Sequence, residues 1–175
     1  MRRPGCRNGE PMIREYAPQD LSAIVDLIGR SVRELASRDY TSAQISAWWP
    51  ERPDVGAWER RLATGTTFVA EREGRMVGVL RMETSEHIDL LFVHPTFARQ
   101  GVARALHDRA MRWAIDAGAS RLTAHVSITA RPFFDRMGFR VVAPQTVERH
   151  GVQLRNFRMT LDLMARSGAE SDSSA

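Results

Sequence analysis

Apolar residues recur at helical spacing early in the chain and at strand spacing in its middle. Met12 to Tyr16 is a short strand candidate. Ala17, Pro18 and Asp20 suit a helix start, and behind them Leu21, Ile24, Val25, Ile28, Val32 and Leu35 repeat along one helical face. After Asp39-Tyr40-Thr41, with Thr41 or Ser42 as cap, Ile45, Trp48 and Trp49 mark a short helix that Pro50 stops. A third short helix covers Val55 to Leu62. The texture then turns to β, with strands over Thr67 to Glu71, Met76 to Met82 and Ile88 to Val93. Leu106, Ala110, Trp113 and Ala114 share one face of a helix over Gly101 to Ala117, and Gly118 stands just past its end. Arg121 to Val126 reads as a strand and Ala130 to Met137 as a short helix ended by Gly138. Phe139 to Val147 and Val152 to Leu163 form a hairpin turning at His150-Gly151. Strands at both ends with helices between them predict an α/β fold, a mixed sheet with helices on both faces.

Outside that pattern, residues 1 to 11 carry two glycines and two prolines and are expected to form a disordered leader, with Met12 a candidate initiator. Residues 164 to 175 are small and polar, a second loose tail. That leaves one domain over residues 12 to 163.

Composition narrows the setting. The 175 residues suffice for one core but not comfortably for two. No stretch approaches 18 apolar residues, so no membrane span is expected, and the N-terminal arginines lack the apolar region of a secretory signal. The single cysteine, Cys6, permits no internal disulfide, and the expected compartment is the cytoplasm. All 25 basic residues are arginine and the net charge is +4, which favours an anionic ligand. Without a run of like charges the anion site is expected to be local, and nucleic acid is the weaker partner reading.

The stretch from Ile88 to Leu106 carries the chemistry. A strand runs to His94-Pro95, a loop follows, and a helix opens at Gly101. Within Arg99-Gln100-Gly101-Val102-Ala103-Arg104 the small residues let backbone N–H groups converge on an anion, and the helix N-terminus adds a favourable dipole. Neither a Walker loop nor GxGxxG is present. Read alone, the segment fits a phosphate cradle and an ordinary strand-to-helix turn equally well.

This segment resembles the acetyl-coenzyme A pyrophosphate signature of the GNAT N-acetyltransferase superfamily, Arg/Gln-x-x-Gly-x-Gly/Ala, at Gly101 and Ala103. It departs at Ala98, where Arg99 one place later is a candidate substitute. Downstream, the segment from Ser127 to Phe139 resembles the family's Asn-x-x-Ala-x-x-Leu-Tyr-x-x-x-Gly-Phe at Ala130, Phe133, Gly138 and Phe139, with Ser127 for the Asn and Phe134 for the Tyr. The order strand, two helices, three strands, helix, strand, helix, two strands also fits, so the resemblance spans Met12 to Leu163.

The resemblance implies a single GNAT-type domain with a sheet of about seven strands, splayed between two parallel central strands, Ile88–Val93 and Arg121–Val126. It implies acetyl-CoA as cosubstrate, its pantetheine arm against the backbone of Leu91, Phe92 and Val93. Arg99, Gln100, Gly101, Val102, Ala103 and Arg104 would cradle the phosphates, with Ser127 and Phe134 nearby. The family's tyrosine protonates the departing thiolate, which Phe134 cannot do. An ordinary thiol, with a pKa of about 8.5, still leaves tolerably near neutral pH.

Direct attack by an amine needs a group to take its proton. Strand alternation puts His87, Asp89, Leu91 and Val93 on one face of the first central strand, and Thr123 and His125 together on the second. His87, Asp89 and His125 are therefore the candidate cleft-facing catalytic groups. Two of them also have a structural reading, His87 solvated at a strand start and Asp89 held by a backbone or arginine group; His125 stands where the resemblance implies a carboxylate that holds a water. For the acceptor, the resemblance implies a pocket under the first two helices and the last hairpin, where Arg38, Tyr40 and Trp48 are the candidates. The expected acceptor is a primary amine of a small molecule or peptide. The histidines show no ligand spacing, so no metal is implied. A silent acyl-CoA-binding module is the alternative, and a homodimer is left open.

Overall fold

The computed structural model describes residues 9–164; the expected leader up to residue 8 and the tail from residue 165 lie outside them. A short strand β1 (Met12–Glu15) leads through a 3-10 turn at Pro18–Asp20 into α1 (Leu21–Leu35). Ile24, Leu27, Ile28 and Val32 are buried along one stripe of α1, which the apolar spacing predicts. Two short helices follow, α2 (Ser42–Trp48) and α3 (Val55–Leu62). At α2 the Thr41 hydroxyl accepts from the Gln44 N–H and the Gln44 side chain accepts from the Thr41 N–H, a reciprocal cap. At α3 the Asp54 carboxylate accepts from the Ala57 N–H.

Three antiparallel strands come next: β2 (Thr66–Arg72), β3 (Arg75–Thr84) and β4 (His87–Val93). The helix α4 (Val102–Asp116) then crosses to β5 (Arg121–Ser127), and α5 (Arg131–Arg136) leads to the hairpin β6 (Arg140–Arg149) and β7 (Val152–Asp162). The seven strands form one sheet in the order β1-β2-β3-β4-β5-β7-β6, and β4–β5 is its parallel pair. The expected mixed sheet, with helices on both faces, is the fold observed.

Two cores lie on opposite faces of this sheet. On one, Phe68, Leu80, Met82, Ile88 and Leu122 pack with Val102, Leu106 and Ala110 of α4 and with Phe134 of α5. On the other, Val69, Val79 and Leu90 pack with α1, with Trp49 after α2 and with Leu62 of α3. Gly78 brings α4 close to β3: a Cβ there would lie 2.7 Å from Val102 Cγ1 and 2.8 Å from Leu106 Cδ1.

Two irregularities position the site. Leu90 pairs with Arg81 but Ile88 pairs with Met82, so Asp89 is an extra residue, a β-bulge in β4. The bulge shifts the alternation. Ile88 joins the α4-side core and Leu90 the α1-side core, although they are two residues apart. The second irregularity is the parting of β4 and β5, which pair only at His87↔Thr123 and Ile88↔Ala124. Beyond those rungs the strands diverge into a V.

Candidate active site

The facing edges of β4 and β5 past Ile88 and Ala124 find no partner in each other. The Leu91, Phe92 and Val93 backbones, paired with β3 on one side, are thus open on the other, as a ligand arm lying along them would need. A cleft of about 280 Å³ occupies this V, lined by both strands, by Tyr40, Trp48, Trp49, Trp58 and Arg61 on the helix side, and by the β6–β7 hairpin.

At one end of the V the chain passes through a 3-10 turn at Pro95–Phe97 to the N-terminus of α4. Arg99 and Gly101 both have positive φ, 63° and 83°, so the loop doubles back before the helix starts. A Cβ on Gly101 would meet nothing within 4 Å, so the space before the helix is open rather than filled by protein. Unpaired N–H groups of the first turn face that space, together with the helix dipole. Arg99 and Arg104 are exposed beside it, Arg104 in a loose pair with Asp108. The Gln100 side chain belongs to the loop's own scaffolding. It accepts from Arg72 and donates to the Thr96 carbonyl, fastening the loop to β2.

At the closed end of the V stand the three catalytic candidates, all lining the cleft. The expected strand face needs correction. Because of the bulge, His87 and Asp89 share their side with Leu90 and Phe92, whereas Leu91 and Val93 pack against the α4-side core. Asp89 accepts from Arg61 at 2.5 and 2.9 Å and from Arg81 at 2.5 Å. Arg81 is itself buried, held by the Thr64 carbonyl and hydroxyl. Burial would raise the Asp89 carboxyl, but hydrogen bonds and charge from Arg61, then Arg81, hold it below its ordinary range. A carboxylate so engaged is a poor proton acceptor.

The histidines differ. His87 Nδ1 lies 2.9 Å from the Thr123 hydroxyl, which in turn donates to the Glu86 carbonyl at 3.0 Å. With the hydroxyl proton spent on that carbonyl, Thr123 accepts from His87, which fixes the proton on Nδ1 and leaves Nε2 an acceptor. Burial, then the neighbouring His125, pushes His87 below the ordinary imidazole value of 6.5, so the ring is neutral at pH 7. His125 is exposed on β5.

Tyr40 and Trp48 form the helix-side wall of the cleft, rings 5.3 Å apart and edge-on. The Tyr40 hydroxyl donates to the Arg155 carbonyl and accepts from the Ile128 N–H, tying the segment ahead of α2 to β7 and to the end of β5, both on the same arm of the sheet. Trp49 is buried on Gly29 and Trp58. Arg38 does not line the cleft; it is exposed at the end of the 3-10 turn Ala36–Arg38. Ser127 accepts from the Ala130 N–H and so caps the turn into α5. Phe134 lines the cleft, packed edge-on against Phe133 and Phe139. The sequence reading did not single out Arg61, Arg81, Arg149 or Asn156. Only their meeting in space marks them, although Arg149 and Asn156 both lie on the last hairpin, which was expected to cover the pocket.

Among the described residues no helix is long and apolar enough to cross a membrane, and no group of three or more His, Cys, Asp or Glu is placed to hold a metal. The sequence matches the family described as Acetyltransferase (GNAT) domain over residues 36–161. It is similar to the uncharacterized N-acetyltransferase YafP of Escherichia coli (strain K12), 39% identical over 148 residues that cover 84% of this chain and 93% of that protein. Its fold is similar to a GCN5-related N-acetyltransferase from Rhodopseudomonas palustris, with a TM-score of 0.86, 30% identity, and coverage of 91% of this chain and 100% of that one. The PaiA N-acetyltransferase of Thermoplasma acidophilum, solved with coenzyme A, shares the fold at a TM-score of 0.70 and 15% identity, over 87% of this chain and 98% of that one. The split sheet, the loop at Gly101 and these likenesses agree: the chain belongs to the GNAT family and is an acyltransferase.

Proposed function

We propose that the protein transfers the acetyl group of acetyl-CoA to a primary amine by direct attack in a ternary complex. The observation that carries the reading is the V between β4 and β5 with the open Gly101 loop at one end and a neutral histidine at the other. The α4 N-terminus and the Arg99 and Arg104 side chains hold the phosphates. The free backbone edge of Leu91 to Val93 pairs with the pantetheine arm, and an N–H on that edge stabilises the developing thioester oxyanion. His87 takes the amine proton at Nε2, directly or through one water, and exposed His125 passes it to solvent. Asp89, locked between Arg61 and Arg81, fixes the bulge that aims His87 and does not move protons. With Phe134 in place of a tyrosine, the thiolate leaves unassisted by a side-chain proton or takes one from water.

Thermal-shift titration with acetyl-CoA, coenzyme A and a short oligonucleotide at two salt concentrations tests the cofactor, and thiol release over an amine panel tests the transfer. A ligand at 100 times its Kd should stabilise the fold by about 2.7 kcal/mol. A shift with both coenzyme A forms and thiol release with an amine is the expected result. A shift without release from any amine would mark a silent acyl-CoA-binding module. A salt-sensitive shift with the oligonucleotide alone would mark a nucleic-acid binder and overturn the reading.

A further inference from the structure

The polar groups of the acceptor wall are nearly all spent on the protein itself. Tyr40 bridges two backbone groups, Asp89 is saturated by two guanidinium groups, and His87 Nδ1 is given to Thr123. Two cleft-lining groups stand apart. The Asn156 Oδ1 is buried and accepts no hydrogen bond among the described residues. Arg149, exposed, has no carboxylate partner among them.

These two groups share one face of the hairpin. In β6, Val147 packs with Tyr40, Trp48 and Leu154, so Arg149, two residues on, leaves the strand on that same side. In β7, Asn156 is two residues beyond Leu154, on the same side again. Asn156 pairs with Ser127, two residues past His125 on β5, and with Gln145 of β6. Gln145 and Arg149 are four strand residues apart, about 13 Å of extended backbone. The wall therefore presents an acceptor atom near the reacting end and a cation well away from it, with the Trp48 and Tyr40 rings alongside.

The cleft's charge points the same way. Its one carboxylate, Asp89, is already neutralised by Arg61 and Arg81. Arg155, also on the lining, stands over the Phe157 ring at 5.7 Å. No lining carboxylate remains to receive a second ammonium group, so a polyamine would bring its distal charge to an arginine.

We infer that the acceptor is a primary amine carrying a distal carboxylate, with an N–H of the amine accepted by Asn156 Oδ1 and the carboxylate paired with Arg149. This inference rests on the acetyl-transfer reading for its chemistry but not for its binding. The Asn156 contact relieves a buried acceptor and turns the nitrogen lone pair toward the thioester. The Arg149 contact is a charge-assisted, bidentate pair. The distance between them disfavours an α-amino acid, whose carboxylate sits next to its amine, and favours a chain or peptide with its carboxylate at the far end.

The test is a series of ω-aminocarboxylates of increasing length, each beside its methyl ester. Thiol release with acetyl-CoA and melting shifts in the presence of coenzyme A are both read. Acids should exceed their esters in kcat/KM by roughly ten- to a hundred-fold, with an optimum at intermediate length. Arg149→Gln should bring the acids down to the esters, Arg149→Lys should restore part of the preference, and Asn156→Ala should lower acids and esters alike. Acids that shift the melting point in an Arg149-dependent way without thiol release would uphold the ligand class and sink the transfer reading. Equal thiol release from acids and esters, a preference that survives Arg149→Gln, or no binding and no release by any acid would overturn the inference.

Discussion

The imidazole rings of His87 and His125 stand 5.3 Å apart at 76° to each other, one on each arm of the V where β4 and β5 separate. His87 sits on the last rungs that still join the arms, and His125 on the free stretch just beyond them. The pair thus spans the point at which protein pairing gives way to the open slot.

Activity should follow from that pairing. With His87 as the proposed base, its neutral form accepts the proton, and burial with His125 nearby lowers its pKa, so the midpoint of the acidic limb of kcat should lie below 6.5. The His87→Gln variant should lose about 10²- to 10⁴-fold in kcat, and that limb with it. A limb that persists in the variant would show that the proton goes elsewhere.

Asp89→Asn should act on the fold before it acts on the chemistry. It leaves the buried Arg81 without a counter-charge, and a loss of about 3–5 kcal/mol is expected. The Asp89 carboxyl is held low when folded, so its stabilisation is present above its unfolded value of 3.8 and lost as pH falls through the lower folded value. Chemical denaturation at pH 7 and again at strongly acidic pH should show the gap between variant and parent narrowing in acid.

Gly101→Ala asks an L-residue to adopt a φ of 83° while meeting no steric neighbour. The fold should lose about 1–2 kcal/mol. Because the methyl group enters the open cradle, the coenzyme A melting shift should fall by more than stability alone explains. An undiminished shift would place the phosphates elsewhere.

Phe134→Tyr should raise turnover several-fold if thiolate departure limits the rate, as measured by thiol release. Phe134 is buried but lines the cleft, so the new hydroxyl has a polar direction to face. Unchanged turnover would mean that another step limits the rate.

Gly29→Ala would place a Cβ 2.6 Å from the Trp49 indole nitrogen. Trp49 must shift, which should lower stability by about 1–3 kcal/mol and disturb the cleft wall it lines. KM for the acceptor should rise while the coenzyme A shift stays.

The elements were readable because each announces itself locally. Val55 to Leu62 carries its own cap and apolar stripe, and the helix there has those very bounds. The loop at Gly101 stood out by its small residues between a strand and a helix, which fit an ordinary turn as well as an anion site, so only the family resemblance favoured the second. The bulge at Asp89 was not, since an extra residue in β4 exists only relative to the register of β3. Simple alternation therefore put Leu91 and Val93 on the wrong face while still bringing His87, Asp89 and His125 to the cleft. Arg61 and Arg81 went unremarked because nothing in their neighbours tells that both end on one carboxylate. Arg38 was chosen for its place between two helices, and a single turn of 3-10 geometry carries it outward.

The missing side chain at Gly78 acts as a gauge. It lets the first turns of α4 settle directly on β3, and so fixes how far the proposed anion seat stands from the fork of the sheet. That span is a property of the scaffold, not of any group that touches the ligand. It should admit molecules whose phosphates and reactive end are separated by one particular spacer, and a methyl group at Gly78 would reset the permitted length while leaving every contacting residue in place.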